Sequence, residues 1–155
     1  MLKEKYEFEL FPDYYQFYLQ DEQITDGLAD SWTEQACKDL FAIALGTIGI
    51  STVHNTDDVP VTVEIHTSEP TEDLAEWDHI VTASIDIPSG KIVIAGCTDY
   101  FPDAARISVT PGVYQLLVFY AGFDSVSADG TDRYKVALWP GQSIDPQVIK
   151  RYIKD

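Results

Sequence analysis

Positive charge is what this sequence has least of. Ten Lys and Arg stand against 26 Asp and Glu, a formal net charge of -16. Affinity for nucleic acid comes from Lys and Arg neutralising phosphates, so the shortage argues against DNA or RNA as a direct partner. Anionic lipid is disfavoured for the same reason. Cysteine is also scarce. Cys37 and Cys97 are the whole complement, too few for a disulfide framework, and the expected setting is the cytoplasm with reduced thiols. No apolar run reaches the length of a membrane span. The N-terminal "MLKEKYEFEL" lacks the apolar stretch of a signal peptide, because Glu4, Glu7 and Glu9 interrupt it. Internal repeats, low-complexity tracts and linkers are missing as well, so the 155 residues are read as one domain, 1–155.

What is present is globular and leans toward strands. Hydrophobic residues make up 45% of the chain and aromatic ones 12%, with many of the Val, Ile, Thr, Tyr and Phe that suit a pleated, half-buried surface. "YEFELF" puts Tyr6, Phe8 and Leu10 on one side and Glu7 and Glu9 on the other. "YYQFYLQ" follows a Pro12-Asp13 turn signal and reads as a second strand. "VPVTVEIHT" and "HIVTASIDI" alternate cleanly, and "PSG" with Lys91 turns the latter into "KIVIAG" as a hairpin. "RISVT" ends at Pro111-Gly112. "VYQLLVFYAGF" is apolar on both faces and predicts a central strand covered on both sides. "DSVSADGTD" reads as a polar loop, "RYKVALWPG" as a strand, and "DPQVIKRYIKD" as a tail able to form one helical turn. One helix is expected near residues 32–40, with Ser31 and Glu34 as a capping box. The fold class is therefore all-β: a two-sheet antiparallel β-sandwich with one short helix.

The acids are unevenly placed. Residues 53–103 hold eleven acids against a single base, Lys91. Asp57, Asp58, Glu69, Glu72, Asp73, Glu76 and Asp78 concentrate in two neighbouring connections, with Trp77 among them. Two readings stand: solvated loops with a core Trp, or a recognition surface on which Trp77 is an aromatic anchor.

Sequence signals for catalysis are weak. Cys97 would need a base such as His54, His66 or His79 within reach, and each of those lies in or beside a separate strand pattern. No spacing of His and Cys matches a metal motif. Asp99, Asp103, Asp129 and Asp132 are calcium candidates in loops that resemble no EF-hand. No G-x-S-x-G elbow or phosphate-cradling glycine run occurs. Neither a catalytic residue, a metal nor a cofactor is assigned. In "AGCTDYFPDAA", Asp99, Tyr100 and Phe101 are the loop candidates for binding. Trp32 and Trp139 are aromatics able to join Tyr100 and Phe101 on a sugar. Arg106 is expected to pair with Asp99 or Asp103, and Arg133 with a carboxylate near its own loop.

Several segments, in order, resemble the competence protein J (ComJ) family. "YYQFYL" looks like its early tyrosine-glutamine-phenylalanine strand. "SWTEQACKDLFAIALGTIGIST" looks like its tryptophan-led short helix and glycine-containing strand. "VTASIDIPSGKIVIAG" looks like its central hairpin, and "RISVTPGVYQLLVFYAG" like its arginine-strand-turn-strand unit. The chain departs from the pattern at the longer "AGCTDYFPDAA" connection and the "DRYKVALWPG" ending. The resemblance implies a small intracellular protein that binds and inhibits a DNA-entry nuclease, and it carries over no catalytic residue. Charge supports the same expectation independently. A nuclease cleft is basic to attract phosphates, and a carboxylate-rich face can occupy it and associate quickly. The expected function is a non-catalytic acidic binding protein that takes a basic protein partner, a nuclease. The alternative is a ligand-binding sandwich that holds a small molecule, carbohydrate or calcium through its loops.

Overall fold

Period-two alternation bounded by turn signals becomes strand along much of the chain, and eleven strands form among the described residues. The structure is a computed structural model that describes residues 1–24, 27–28, 30–123 and 132–153. In chain order the strands are β1 (Leu2–Leu10), β2 (Gln16–Asp21), β3 (Phe41–Ala44), β4 (Thr47–Ser51), β5 (Val59–His66) and β6 (His79–Ile87). They continue with β7 (Lys91–Gly96), β8 (Ala105–Ser108), β9 (Gly112–Ala121), β10 (Arg133–Pro140) and β11 (Gln147–Lys150). One helix, α1 (Glu34–Asp39), lies between β2 and β3. The fold class is the all-β two-sheet sandwich that the strand spacing predicts. The chain groups into two compact units, each built around one sheet: Met1–Glu9, Val59–Ser84 and Tyr114–Asp155, and Leu10–Asp58 with Ile85–Val113.

The first unit holds the six-stranded sheet in the order β1-β5-β10-β9-β6-β11. β9 is central, as its two apolar faces require. Leu116, Val118 and Tyr120 are buried on one face and Phe119 and Ala121 on the other. One pairing departs from the antiparallel expectation: β5 and β10 run parallel, with Val63 opposite Val136. A parallel pair needs a long crossover, and the chain between His66 and Arg133 supplies it.

The second unit holds the five-stranded sheet in the order β3-β4-β2-β7-β8. Phe17, Leu19, Ile48, Ile50, Ile92 and Ile94 are fully buried on its inner face. The helix is shorter than the expected 32–40 span, and its cap differs. Thr33, in extended conformation, accepts the Ala36 N–H on Oγ1 at 3.1 Å, whereas the Ser31 N–H is committed to the Leu28 carbonyl at 2.9 Å. The helix stops at Leu40, which takes a left-handed φ of 60°.

Three other expectations fail for identifiable reasons. "PSG" does not close a hairpin: β6 pairs within the six-stranded sheet and β7 within the five-stranded one. The turn is held by Asp21, a fully buried carboxylate that accepts the Ser89 N–H at 3.0 Å and the Ser89 hydroxyl at 2.7 Å. The C-terminal segment is no helical turn. Gln147–Lys150 pairs with β6 at the sheet edge, Val148 opposite Val81. The second strand starts only at Gln16, because Tyr14 and Tyr15 hold φ of 59° and 60° in a 3-10 turn. Most of the expected "DSVSADGTD" loop lies outside the described residues.

Candidate protein-binding surface

The acidic connection between β5 and β6 is an ordered element pinned to the six-stranded sheet. β10 presents Lys135 and Ala137 on the same face as Phe119 of β9. Trp77 closes over that face. It is 7% exposed and packs with Ile80, Phe119, Ala121 and Ala137, its ring centroid 5.1 Å from that of Phe119. Trp77 is thus held in a hydrophobic cluster of its own unit. Arg133 lies over its ring at 5.0 Å, and Lys135 Nζ at 5.5 Å. A cation over an aromatic face is favourable and is strengthened by exclusion of water.

The carboxylates of this connection divide into two sets. Glu72 is half-buried and pairs with Lys135, which also stands 3.7 Å from Glu64 Oε1. Glu64 in turn meets His66 Nε2 at 2.9 Å. Asp78 accepts the Phe123 N–H at 3.0 Å. Asp73 Oδ1 accepts the Ala75 N–H at 3.0 Å and caps a 3-10 turn at Leu74–Glu76. Glu72 and Asp78 therefore spend their charge inside the protein. Glu69, Asp73 and Glu76 face solvent, and Leu74 beside them is 44% exposed. Lys150 Nζ donates to the Leu74 carbonyl at 3.0 Å and ties the turn to β11. The result is a braced acidic ridge that also exposes one apolar side chain, Leu74. Asp57 and Asp58 are exposed too, at the end of the other compact unit.

Sequence reasoning missed two residues here. Leu74 looks like a core position until its neighbours Asp73, Ala75 and Glu76 are all seen to be exposed. Lys135 carried a usable signal, since a base between Arg133 and Ala137 on the inward-covered face of a strand needs a carboxylate, and the acidic connection holds several.

The loop candidates separate. Asp99 Oδ2 accepts the Gly96 N–H at 2.8 Å. Gly96 has no room for a side chain, because a Cβ there would stand 2.3 Å from the Phe11 carbonyl oxygen. Tyr100 is 70% exposed. Phe101 turns into a cleft shared with Trp32 and Cys97. Trp139 is buried and belongs to the other unit. Arg106 does not pair with Asp99 or Asp103. It reaches Glu22 and the carbonyls of Phe101, Pro102 and Ala104.

Two of the histidines weighed for chemistry are committed elsewhere. His66 is bonded to Glu64, and His79 Nδ1 accepts the Tyr152 N–H at 3.1 Å. Burial, reinforced by the nearby Asp13 charge, pushes the Cys97 thiol up, the opposite of an activated nucleophile. Of the calcium candidates, Asp132 bonds the Tyr134 hydroxyl at 2.6 Å, and Asp129 lies outside the described residues. Among the described residues no three His, Cys, Asp or Glu gather in a metal-holding group, and no helix is long and apolar enough to cross a membrane.

No family model matches the sequence, and no curated protein matches it either. Solved structures do match in three dimensions. ComJ from Bacillus subtilis, an inhibitor of the DNA-degrading activity of NucA, superposes with a TM-score of 0.73 at 21% identity, over 91% of this chain and 99% of that one. The chain has the ComJ fold. A second protein of that fold, crocagin biosynthetic gene J, matches with a TM-score of 0.61 at 16% identity, over 89% of this chain and 96% of the other. The likeness to ComJ read from the sequence is thus borne out at the level of architecture, although the central hairpin quoted for it is a crossing between sheets.

Proposed function

We propose that this protein is a non-catalytic inhibitor of a nuclease and binds it through the acidic ridge. The observation that carries the reading is the fold shared along nearly the whole chain with ComJ, an inhibitor of NucA. The ridge supports it physically. Glu69, Asp73 and Glu76 are exposed carboxylates on a segment whose backbone is already held by Trp77 and the Lys135–Glu72 pair, so little ordering entropy is lost on docking. Leu74, next to Asp73 in the chain, offers an exposed apolar contact. A basic cleft that attracts DNA would attract this ridge for the same electrostatic reason. Asp57 and Asp58 are the candidates outside the ridge.

The test is a DNA-cleavage assay with NucA as the probe. Wild-type protein is expected to suppress cleavage stoichiometrically, and the double substitution Asp73→Lys with Glu76→Lys to weaken suppression at least tenfold. Unimpaired cleavage at saturating protein, or suppression indifferent to both substitutions, would overturn the reading.

A further inference from the structure

The five-stranded unit contains a site that an inhibitor does not require. Gln16, Tyr18 and Gln20 alternate along β2, so they leave its outer face while Phe17 and Leu19 enter the core. Thr47 of β4 stands opposite Gln20 in the register. Ile24, Leu28 and Trp32, which follow β2, wall one side of this floor. Cys97 and Phe101, between β7 and β8, also line the cleft. The cleft is open on one side and its volume is about 510 Å³, within the range of small-molecule sites.

The walls are braced. A Cβ on Gly49 would stand 2.6 Å from Leu28 Cδ1 and 2.9 Å from Trp32 Cζ2, so a bare backbone there is what lets both side chains seat on the sheet. Trp32 Nε1 donates to Gln16 Oε1 at 3.0 Å. The Arg106 guanidinium lies 5.2 Å from the centre of the Phe101 ring and bonds the Phe101 carbonyl at 3.0 Å.

Three features define the chemistry of a ligand. First, among the described residues none that lines the cleft is Asp, Glu, Lys, Arg or His, in a chain of net charge -16. A charged ligand would lose its hydration and meet no opposite charge on those side chains. Second, Thr47 is 2% exposed, and its Oγ1 has no hydrogen-bond partner among the described residues. Protein interiors rarely leave a hydroxyl so placed unless something else takes the bond. Third, Gln16 has its amide oxygen engaged by Trp32 and keeps its –NH2 as a donor. Gln20 has its amide nitrogen engaged by the Ile24 carbonyl and keeps its oxygen as an acceptor. On one face of β2 the cleft thus offers a free donor and a free acceptor, and Gln20 stands opposite the Thr47 hydroxyl; an amide presents the complementary acceptor and donor. Burial also raises the Tyr18 phenol and the Cys97 thiol, so both stay protonated at neutral pH.

We propose that this cleft binds an uncharged, planar aromatic molecule carrying an amide-like edge. The ring lies against Trp32 and Phe101, and the polar edge bonds Thr47 and the Gln20 carboxamide opposite it. The cleft belongs to the five-stranded unit and the acidic ridge to the six-stranded one, so ligand binding and nuclease inhibition stand or fall separately.

The experiment uses the two cysteines of the full-length protein. Cys97 lines the cleft and Cys37 is exposed on α1. Indole-3-carboxamide is the probe and indole-3-carboxylate its charged counterpart. Alkylation of each cysteine is followed by peptide mass spectrometry. Saturating carboxamide is expected to slow Cys97 at least fivefold and to leave Cys37 unchanged, and the carboxylate to need about ten times the concentration. Thr47→Val keeps the shape, removes the hydroxyl, and should raise the concentration for half-protection by about three- to tenfold, the worth of one hydrogen bond. Absence of saturable Cys97 protection, equal protection by the carboxylate, or indifference to Thr47→Val would each overturn the assignment. If the valine variant does not fold, the carboxamide-to-carboxylate contrast in wild type decides alone.

Discussion

Arg106 Nε stands 2.6 Å from Glu22 Oε2, joining residues 84 positions apart. The same guanidinium stacks on Phe101 and bonds three carbonyls of the 101–104 segment. It therefore ties the segment after β2 to the connection after β7. Both partners are partly exposed, which limits the worth of the charge itself, but the planar fork satisfies several acceptors at once. Arg106→Ala is expected to destabilise by about 1–3 kcal/mol, read as the midpoint of a denaturant melt. Arg106→Lys should recover less than half of the loss. An unchanged alanine midpoint would remove the brace from the account.

Asp21 is the second brace of that unit. It is fully buried and accepts from the Ser89 N–H, the Ser89 hydroxyl and the Gln23 N–H. Removing it leaves those donors without their acceptor at the turn where the chain changes sheets. Asp21→Ala should cost about 2–4 kcal/mol in the same melt, and Ser89→Ala about 1 kcal/mol.

Lys135 is the corresponding point in the six-stranded unit. Its ammonium pairs with Glu72, stands near Glu64 and lies over Trp77 and Phe119. Lys135→Met keeps the stem and removes the charge, and leaves a 9% exposed Glu64 with His66 as its close partner. The expected loss is about 2–4 kcal/mol. Changing Lys135 to Met and Glu72 to Gln together should cost less than the two singles added, the sign of a direct coupling. Additive losses would show that the pair contributes nothing of its own.

Cys97 gives a pH prediction. Burial and then Asp13 raise its thiol above the ordinary 9.0. Folding therefore favours the protonated form. That stabilisation is complete below 9.0 and is lost as pH rises through the higher folded value. Alkylation of Cys97 in the native protein should run slower at pH 8.5 than in the same protein unfolded in denaturant. Asp13→Asn should speed the native reaction, and an Asn variant that reacts no faster would exclude the Asp13 charge as a cause.

The inhibitor reading makes a kinetic prediction of its own. Rim charges act mainly on encounter, and salt screens them within about 8 Å at physiological ionic strength. Association with NucA should slow at least several-fold between low and physiological salt. Asp73→Lys with Glu76→Lys should flatten that dependence, measured by stopped-flow fluorescence. Leu74→Ala should act instead on dissociation, with little change in salt dependence.

Much of the fold is legible in the chain because alternation is a local property. "VTVEIH" and "VTASIDI" announce which side chains turn inward, and Val61, Val63, Val81, Ala83 and Ile85 are indeed buried. The double apolar face of "QLLVFY" announces a covered central strand, and the 67–78 connection supplies the cover through Trp77. The candidate site was legible only in part. The acidic run stands out in composition, but composition treats Glu72 and Glu76 alike. Lys135, 63 residues from Glu72, makes one internal and leaves the other outward.

By itself the sequence determined most of the strands, their inward faces, the short helix and the surplus of negative charge, because each depends on neighbours a few residues apart. Only the tertiary structure decided which strands pair. "PSG" suits a hairpin and a crossing between sheets equally well, and Asp21, 68 residues before Ser89, is what holds the crossing. The parallel β5–β10 pair, the edge strand at Gln147–Lys150 and the cleft between Trp32 and Phe101 arise in the same way. Each joins segments far apart in the chain, and period-two alternation carries information about faces but none about partners.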